Sequence, residues 1–288
     1  MAMPGGSRTV CECRFCTCWE GGSGRPLQRI ALVQCKSCSR PENFPRLQRA
    51  TGLRERGNMI SVVIPTWNAA STLAATLTAL VPAVVDGVVR EVLIVDCGSS
   101  DATCEIADAA GARIVTAPRG RGEQLRAGGE AARQPWLLFL HADTVLETDW
   151  QVEASKLIEH VEAGTRRPSA AAFRFALDDV GLKPRLVEWG VSFRCAACAL
   201  PYGDQGLLIS RPLYEEVGGF RPLSLFEDVD LVGRLGRRRL TMLRARAATS
   251  AARYRQAGYA NRVLRNVTCL VMYQLGASPE RLEKIYYG

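Results

Sequence analysis

The chain has 288 residues, 47% hydrophobic and 23% charged, an ordinary globular composition with enough length for one large core or two small ones. No apolar run approaches the roughly 20 residues of a membrane-spanning helix, and the start MAMPGGSRTV lacks the apolar stretch of a secretory signal, so a cytoplasmic protein is expected, with peripheral membrane contact left open. The net charge of +8 resides mostly in residues 1–58, with 10 Lys/Arg against 4 Asp/Glu; the remainder holds 27 against 25, so no nucleic-acid partner is expected.

Residues 1–58 show no apolar periodicity and hold 6 of the 11 cysteines. They read as a Cys/Arg-rich leader, either disordered or an extension upstream of a true start at Met59. Cys11, Cys13, Cys16, Cys18, Cys35 and Cys38 have a spacing that could ligate zinc.

From Met59 the pattern changes. Ile60–Ile64 reads as a buried strand, Ala69–Leu80 as a helix, Glu91–Val95 as a strand and Asp101–Ala110 as a capped helix. Arg113–Val115 is the third strand, Gly122–Arg133 a helix and Trp136–Leu140 the fourth strand. This alternation predicts an α/β fold, a mostly parallel sheet with helices on both faces. Such sheets bind ligands at the carboxyl ends of their strands. The later part is less regular: a strand at Ala170–Leu177, a helix at Lys183–Phe193, a strand at Gly206–Ile209, and helices at Pro212–Val217, Phe226–Arg237 and Asn261–Leu275.

Polar motifs follow the strands. After the second comes Val95-Asp96-Cys97-Gly98-Ser99-Ser100-Asp101-Ala102-Thr103. Its carboxylate could accept hydrogen bonds from a base or ribose, and Gly98 permits a tight turn; a plain capped turn explains the same residues. The fourth strand ends in His141-Ala142-Asp143-Thr144, two metal-capable side chains on one turn, or alternatively a cap for a helix beginning near Glu147. Gly203-Asp204-Gln205-Gly206 is a polar turn that could present side chains to an acceptor. Glu227-Asp228 either favours a helix dipole or supplies a general base. Arg253-Tyr254 lies in a basic segment with Arg244, Arg246 and Arg255, which could clamp phosphate or simply be solvated. Cys195-x-x-Cys198, inside a helical stretch, reads as packing.

Taken in order, Ser61-Val62-Val63-Ile64-Pro65-Thr66-Trp67-Asn68 and these motifs resemble the family 2 glycosyltransferases, from about residue 60 onward. Within that family the chain is most similar to the bacterial subgroup named for radical-SAM/selenodomain association or arsenosugar biosynthesis. The resemblance implies a GT-A fold, a nucleotide-sugar-binding half at 59–145 and an acceptor half at 146–288. It implies an inverting transfer from a nucleoside diphosphate sugar, by family habit a UDP-sugar, to a small acceptor. Pro65, Thr66, Asn68, Asp96, Gly98, Ser100, Asp101, Gly122, Ala142 and Arg253 would serve the donor, with Asp96 on the base. Gly203, Asp204 and Gln205 would serve the acceptor. Asp143, with His141, would hold Mg2+ or Mn2+. Asp228 would be the base, with Glu227 beside it. The chain departs from the family where His141 replaces the usual first Asp, Cys97 a common Asp and Tyr254 a commoner Trp. A sugar nucleotidyltransferase would want a Gly-rich basic loop after the first strand, where Pro65-Thr66-Trp67-Asn68-Ala69 stands instead. A non-catalytic nucleotide-sugar binder is the remaining alternative.

Overall fold

The first strand explains the layout. Ile60–Thr66 (β1) alternates its side chains between two cores. Ile60, Val62 and Ile64 enter one, and Val63 enters the other. Trp136–Phe139 (β4) repeats this, with Trp136 and Leu138 on one side and Leu137 and Phe139 on the other. A strand buried on both faces needs helices on both faces, and the computed structural model, which describes residues 59–198 and 200–287, has that arrangement. The expected leader and its cysteines lie outside the described residues.

Helices Ala70–Val85 (α1) and Trp150–Glu162 (α4) cover the first core with Leu73, Leu80, Trp150 and Leu157. Arg121–Ala131 (α3), Arg211–Glu216 (α6) and Glu227–Leu235 (α7) cover the second with Leu125, Leu213 and Leu231. Burying each such side chain stabilises by about 1.5–3 kcal/mol. At Gly128 of α3, an added Cβ would lie 2.3 Å from Val63 Cγ1, so glycine is what lets α3 pack so closely on the sheet.

Val89–Asp96 (β2), Arg113–Thr116 (β3), Thr144–Leu146 (β5), Ala170–Asp178 (β6), Leu207–Ser210 (β7) and Leu240–Ser250 (β8) complete an eight-stranded sheet ordered β3-β2-β1-β4-β7-β6-β8-β5. β1 runs parallel to β2 and β4, β2 to β3, and β6 to β8. β7 is antiparallel to β4 and β6, and β5 to β8. The remaining helices are Thr103–Ala109 (α2), Leu182–Cys198 (α5), Ala252–Ala257 (α8), Tyr259–Gln274 (α9) and Pro279–Tyr287 (α10). All described residues belong to one unit, Arg49–Gly288. No helix among them is long and apolar enough to cross a membrane.

Three expectations are corrected. The first helix continues through Pro82 to Val85. Asp143-Thr144 does not open a helix near Glu147: Thr144 starts β5, its hydroxyl lies 3.0 Å from that of Thr249, and the next helix begins at Trp150. The basic segment around Arg244 and Arg246 is strand β8, with both side chains exposed and their backbone N–H groups donating to Glu153 and Glu147.

Candidate active site

At the end of β2 the polar groups satisfy one another. Asp96 Oδ1 accepts from the Thr66 and Ser99 hydroxyls at 2.9 and 2.6 Å, and Oδ2 from the Gly98 and Ser99 N–H groups at 2.8 Å each. Burial raises the Asp96 pKa, and these hydrogen bonds outweigh it, leaving the carboxyl below its ordinary range. Asn68, with positive φ, accepts from Ser100 N, while Asp101 accepts from Ala70 N and Thr103. The loops after β1 and β2 are thus laced together. Gln124 of α3 completes the lacing by donating to the Thr66 and Val95 carbonyls at 2.8 and 2.7 Å.

Beside this knot lies an open cleft across the carboxyl ends of β1 and β4. Pro65, Thr66, Trp67 and Asn68 form one wall. His141, Ala142 and Asp143 follow, with Asp204, Glu227 and Asp228 nearby. Arg253, Tyr254, Arg262, Lys284 and Tyr286 line it as well. Thr76 Oγ1 fixes the His141–Asp143 turn by donating to the Ala142 carbonyl at 2.9 Å.

The carboxylates of the cleft are less well satisfied than Asp96. Asp204 Oδ1 is buried without a hydrogen-bond partner among the described residues. Burial first, then the charges of Asp228 and Asp143, push the Asp204 carboxyl up to about 6, against the opposing pull of Arg194. Glu227 is buried, and burial pushes it up to about 7, opposed by Arg121, whose Nε lies 3.6 Å from Oε1. Asp228 is oriented by backbone: Oδ2 accepts from Gly203 N and Oδ1 from Val229 N. Phe226, just before this pair, has φ 63°, a strained value for a bulky residue that sets the entry into α7.

His141 contacts the same turn. A Cβ on Gly203 would lie 2.7 Å from His141 Nε2 and 3.2 Å from Asp228 Oδ2, so only glycine lets all three meet. Burial, reinforced by Arg121 and Arg253, holds the imidazole well below its ordinary pKa.

Among the described residues no three His, Cys, Asp or Glu side chains converge on one point. The oxygen donors of Asp143 and the orphaned Asp204 Oδ1 nonetheless suit a hard divalent cation that keeps phosphate and water as its other ligands. His141 suits it less, because two guanidinium groups face the imidazole.

Of the residues singled out in the sequence, Pro65, Thr66, Asn68, His141, Ala142, Asp143, Asp204, Glu227, Asp228 and Arg253 line this cleft. Gly203 lines an adjoining small pocket with His141 and Asp228. The rest are placed elsewhere. Asp96, Gly98, Ser100 and Asp101 form the knot behind the wall. Gly122 is pressed against the 221–223 loop, where an added Cβ would lie 2.4 Å from the Arg221 carbonyl. Gln205 braces its turn, donating to the Phe173 carbonyl and accepting from Tyr202 N. Cys195 is buried and its thiol meets Gln205 Oε1 at 3.3 Å, consistent with packing.

Several lining residues were not anticipated. Arg119 stacks its guanidinium 3.9 Å over the Trp67 ring, and Arg121 pairs with Glu227. The pattern Arg119-Gly120-Arg121 ahead of a helix was the available signal. Arg262, Asn266, Lys284 and Tyr286 had none, since helical positions so far along the chain reveal their facing only in the fold.

Comparison with known proteins fits this geometry. Residues 61–193 match a sequence model described as Glycosyl transferase family 2. The glucosyl-3-phosphoglycerate synthase of Mycolicibacterium paratuberculosis is 34% identical over 98 residues, covering 31% of this chain and 30% of that protein. The PGL/p-HBAD biosynthesis glycosyltransferase of Mycobacterium bovis is 30% identical over 149 residues, covering 47% of this chain and 52% of that protein. The chain therefore aligns with only a third to a half of these relatives' lengths. The solved glucosyl-3-phosphoglycerate synthase of Mycobacterium tuberculosis, in complex with Mn2+, UDP and glucosyl-3-phosphoglycerate, superposes with a TM-score of 0.54 at 21% identity, over 77% of this chain and 81% of that one. The fold is of the GT-A type, shared with the mycobacterial synthase, and residues 61–193 resemble the family 2 glycosyltransferases in sequence.

Proposed function

We propose that this chain transfers a sugar, with inversion at the anomeric carbon, from a UDP-sugar to a small acceptor. The observation that carries the reading is one cleft lined by the β1 loop, the Asp143 turn, the Glu227-Asp228 pair and the cations Arg121 and Arg253. Solved relatives lend support: the mycobacterial synthase has been seen with Mn2+, UDP-glucose and phosphoglyceric acid, and with Mg2+ and UDP.

In this reading Trp67 and the β1 loop seat the nucleoside, and Asp96 acts behind them by holding Thr66 and Ser99 in place. Asp143, assisted by Asp204, would hold Mg2+ or Mn2+. That ion, when bound, offsets charge on the departing diphosphate. Arg253 lies beside the phosphates. Asp228, fixed by two backbone N–H groups, takes the acceptor's proton as its oxygen bonds to the anomeric carbon and the bond to phosphate breaks. Arg262 and Lys284 make the acceptor side basic, which suits an acceptor bearing phosphate or carboxylate. The narrower kinship with the radical-SAM/selenodomain or arsenosugar subgroup belongs to this proposal and rests on the His141-Ala142-Asp143 pattern.

The test is a thermal-shift series with UDP-glucose and other nucleotide sugars, with and without Mn2+. A donor at 100 times its Kd should add about 2.7 kcal/mol of stability. A metal-dependent shift with one donor class is expected; no shift with any donor would reject the reading.

A further inference from the structure

The outer faces of α5 and α9 are the unusual surface of this molecule. On α5, Leu182, Leu186, Trp189 and Phe193 are 75, 58, 70 and 65% exposed. At roughly 100° per residue these four fall within about 60° of one another. They point directly away from Val187 and Val191, which pack on Phe175 and Leu177. Trp189 and Phe193 stack on each other with ring centroids 6.2 Å apart. On α9, Leu264, Val267 and Val271 are likewise half or more exposed, followed by Leu275. They lie opposite the buried Arg262 and Cys269. Single exposed apolar residues are ordinary, but two helices in contact that each carry a full outward stripe are not.

Charge identifies the occupant. Residues 237–288 hold 11 Lys/Arg and 2 Asp/Glu, whereas residues 59–236 hold 16 and 23. Within that stretch Arg253, Arg262 and Lys284 line the cleft, and Arg239 and Arg255 pair with Glu216 and Asp179; other cations lie beside the α5 stripe. Lys183 and Arg185 flank the α5 stripe on either side, and Arg237 sits at its far end, donating to the Ala196 and Ala197 carbonyls. A symmetric pairing of two copies through this face would set like charges opposite each other. An apolar stripe edged by cations, with a Trp in it, matches instead the interface of a bilayer bearing anionic headgroups.

We infer that the α5–α9 face docks on the surface of an anionic lipid bilayer, with Leu182, Leu186, Trp189 and Phe193 inserted at headgroup depth and the flanking Lys and Arg against lipid phosphates. The docking is separate from the transfer chemistry. α9 joins the two spatially, since its inner side supplies Arg262 and Asn266 to the cleft.

The test is co-sedimentation of the full chain with vesicles of equal parts phosphatidylglycerol and phosphatidylcholine, and with vesicles of phosphatidylcholine alone. The chain should bind the anionic vesicles at least about tenfold more tightly than the neutral ones, and less tightly as salt is raised. The combined variant Leu186→Ser, Trp189→Ser, Phe193→Ser changes only exposed side chains, so its circular-dichroism melting temperature should match the parent's. Its binding to the anionic vesicles should fall about tenfold or more. The inference is overturned if the parent ignores anionic vesicles, if the variant binds them equally well, or if light scattering shows a dimer that the variant dissociates while vesicle binding is absent.

Discussion

Two sets of carboxylates sit within this fold and differ in how they are satisfied. Asp96 and Asp101, behind the cleft wall, have their oxygens filled by hydroxyl and backbone donors. Asp204 and Glu227, lining the cleft, are buried with too few donors and are held at raised pKa values. A fully bonded carboxylate stabilises a loop; an under-bonded one stores a cost that a ligand can relieve. We propose on this contrast that the first set shapes the loops and that the cleft carboxylates, Asp143 and Asp228 among them, carry the chemistry.

The sharpest way to break that assignment is Asp228→Asn. Loss of a general base should lower kcat by about 10²–10⁴-fold while the donor still raises the melting temperature. Turnover left intact would remove Asp228 from the chemistry. Next in size, Asp143→Ala should abolish the part of the nucleotide-sugar shift that depends on Mn2+, up to about 2.7 kcal/mol at 100 times Kd; titrating Mn2+ against the melting temperature reads it. Asp96→Asn should instead act on folding, costing about 1–3 kcal/mol in urea unfolding because an amide N–H2 would face existing donors. Unchanged stability with a large loss of nucleotide affinity would move Asp96 into the other set.

A further test, read in pH and not in activity, concerns Glu227. Its folded pKa of about 7 lies above its ordinary 4.5, so the folded state holds a proton that the unfolded chain releases. Its contribution is complete below about pH 4.5 and is lost as pH rises through 7. Glu227→Gln cannot ionise, so it should flatten the pH dependence of the melting temperature across that window, by up to about 3 kcal/mol. An unchanged slope would show that Glu227 is ionised throughout.

The sheet's first half was legible because short apolar strands alternate with helices there, and the motifs at strand ends could be located from that alternation. β8 was not. Its alternation, Leu243-Arg244-Ala245-Arg246-Ala247, has the period of a strand, but the exposed arginines drew attention to charge. β5 spans only three residues and owes its existence to pairing with β8, so missing one hid the other. The helix expected at Ala69–Leu80 continues past Pro82 to Val85. At the site, spacing identified which side chains could act, but not which ones the fold had already occupied. Asp96 and Asp143 look alike in sequence, and only the four donors around Asp96 separate them.

The cleft draws its walls from positions 65–69 and from 253–286, with α9 and α10 supplying the latter part. Contacts this remote in sequence carry a high loop-closure cost and form late. The helices concerned rest on the small cluster of Leu225, Phe226, Val229, Cys269 and Leu282, not on the two cores of the sheet. In rising denaturant, nucleotide binding should therefore fail before the sheet unravels, and amide exchange should be faster in α9 and α10 than in β1 and β4. On that outcome the binding surface would be a separately melting shell on a sturdier scaffold.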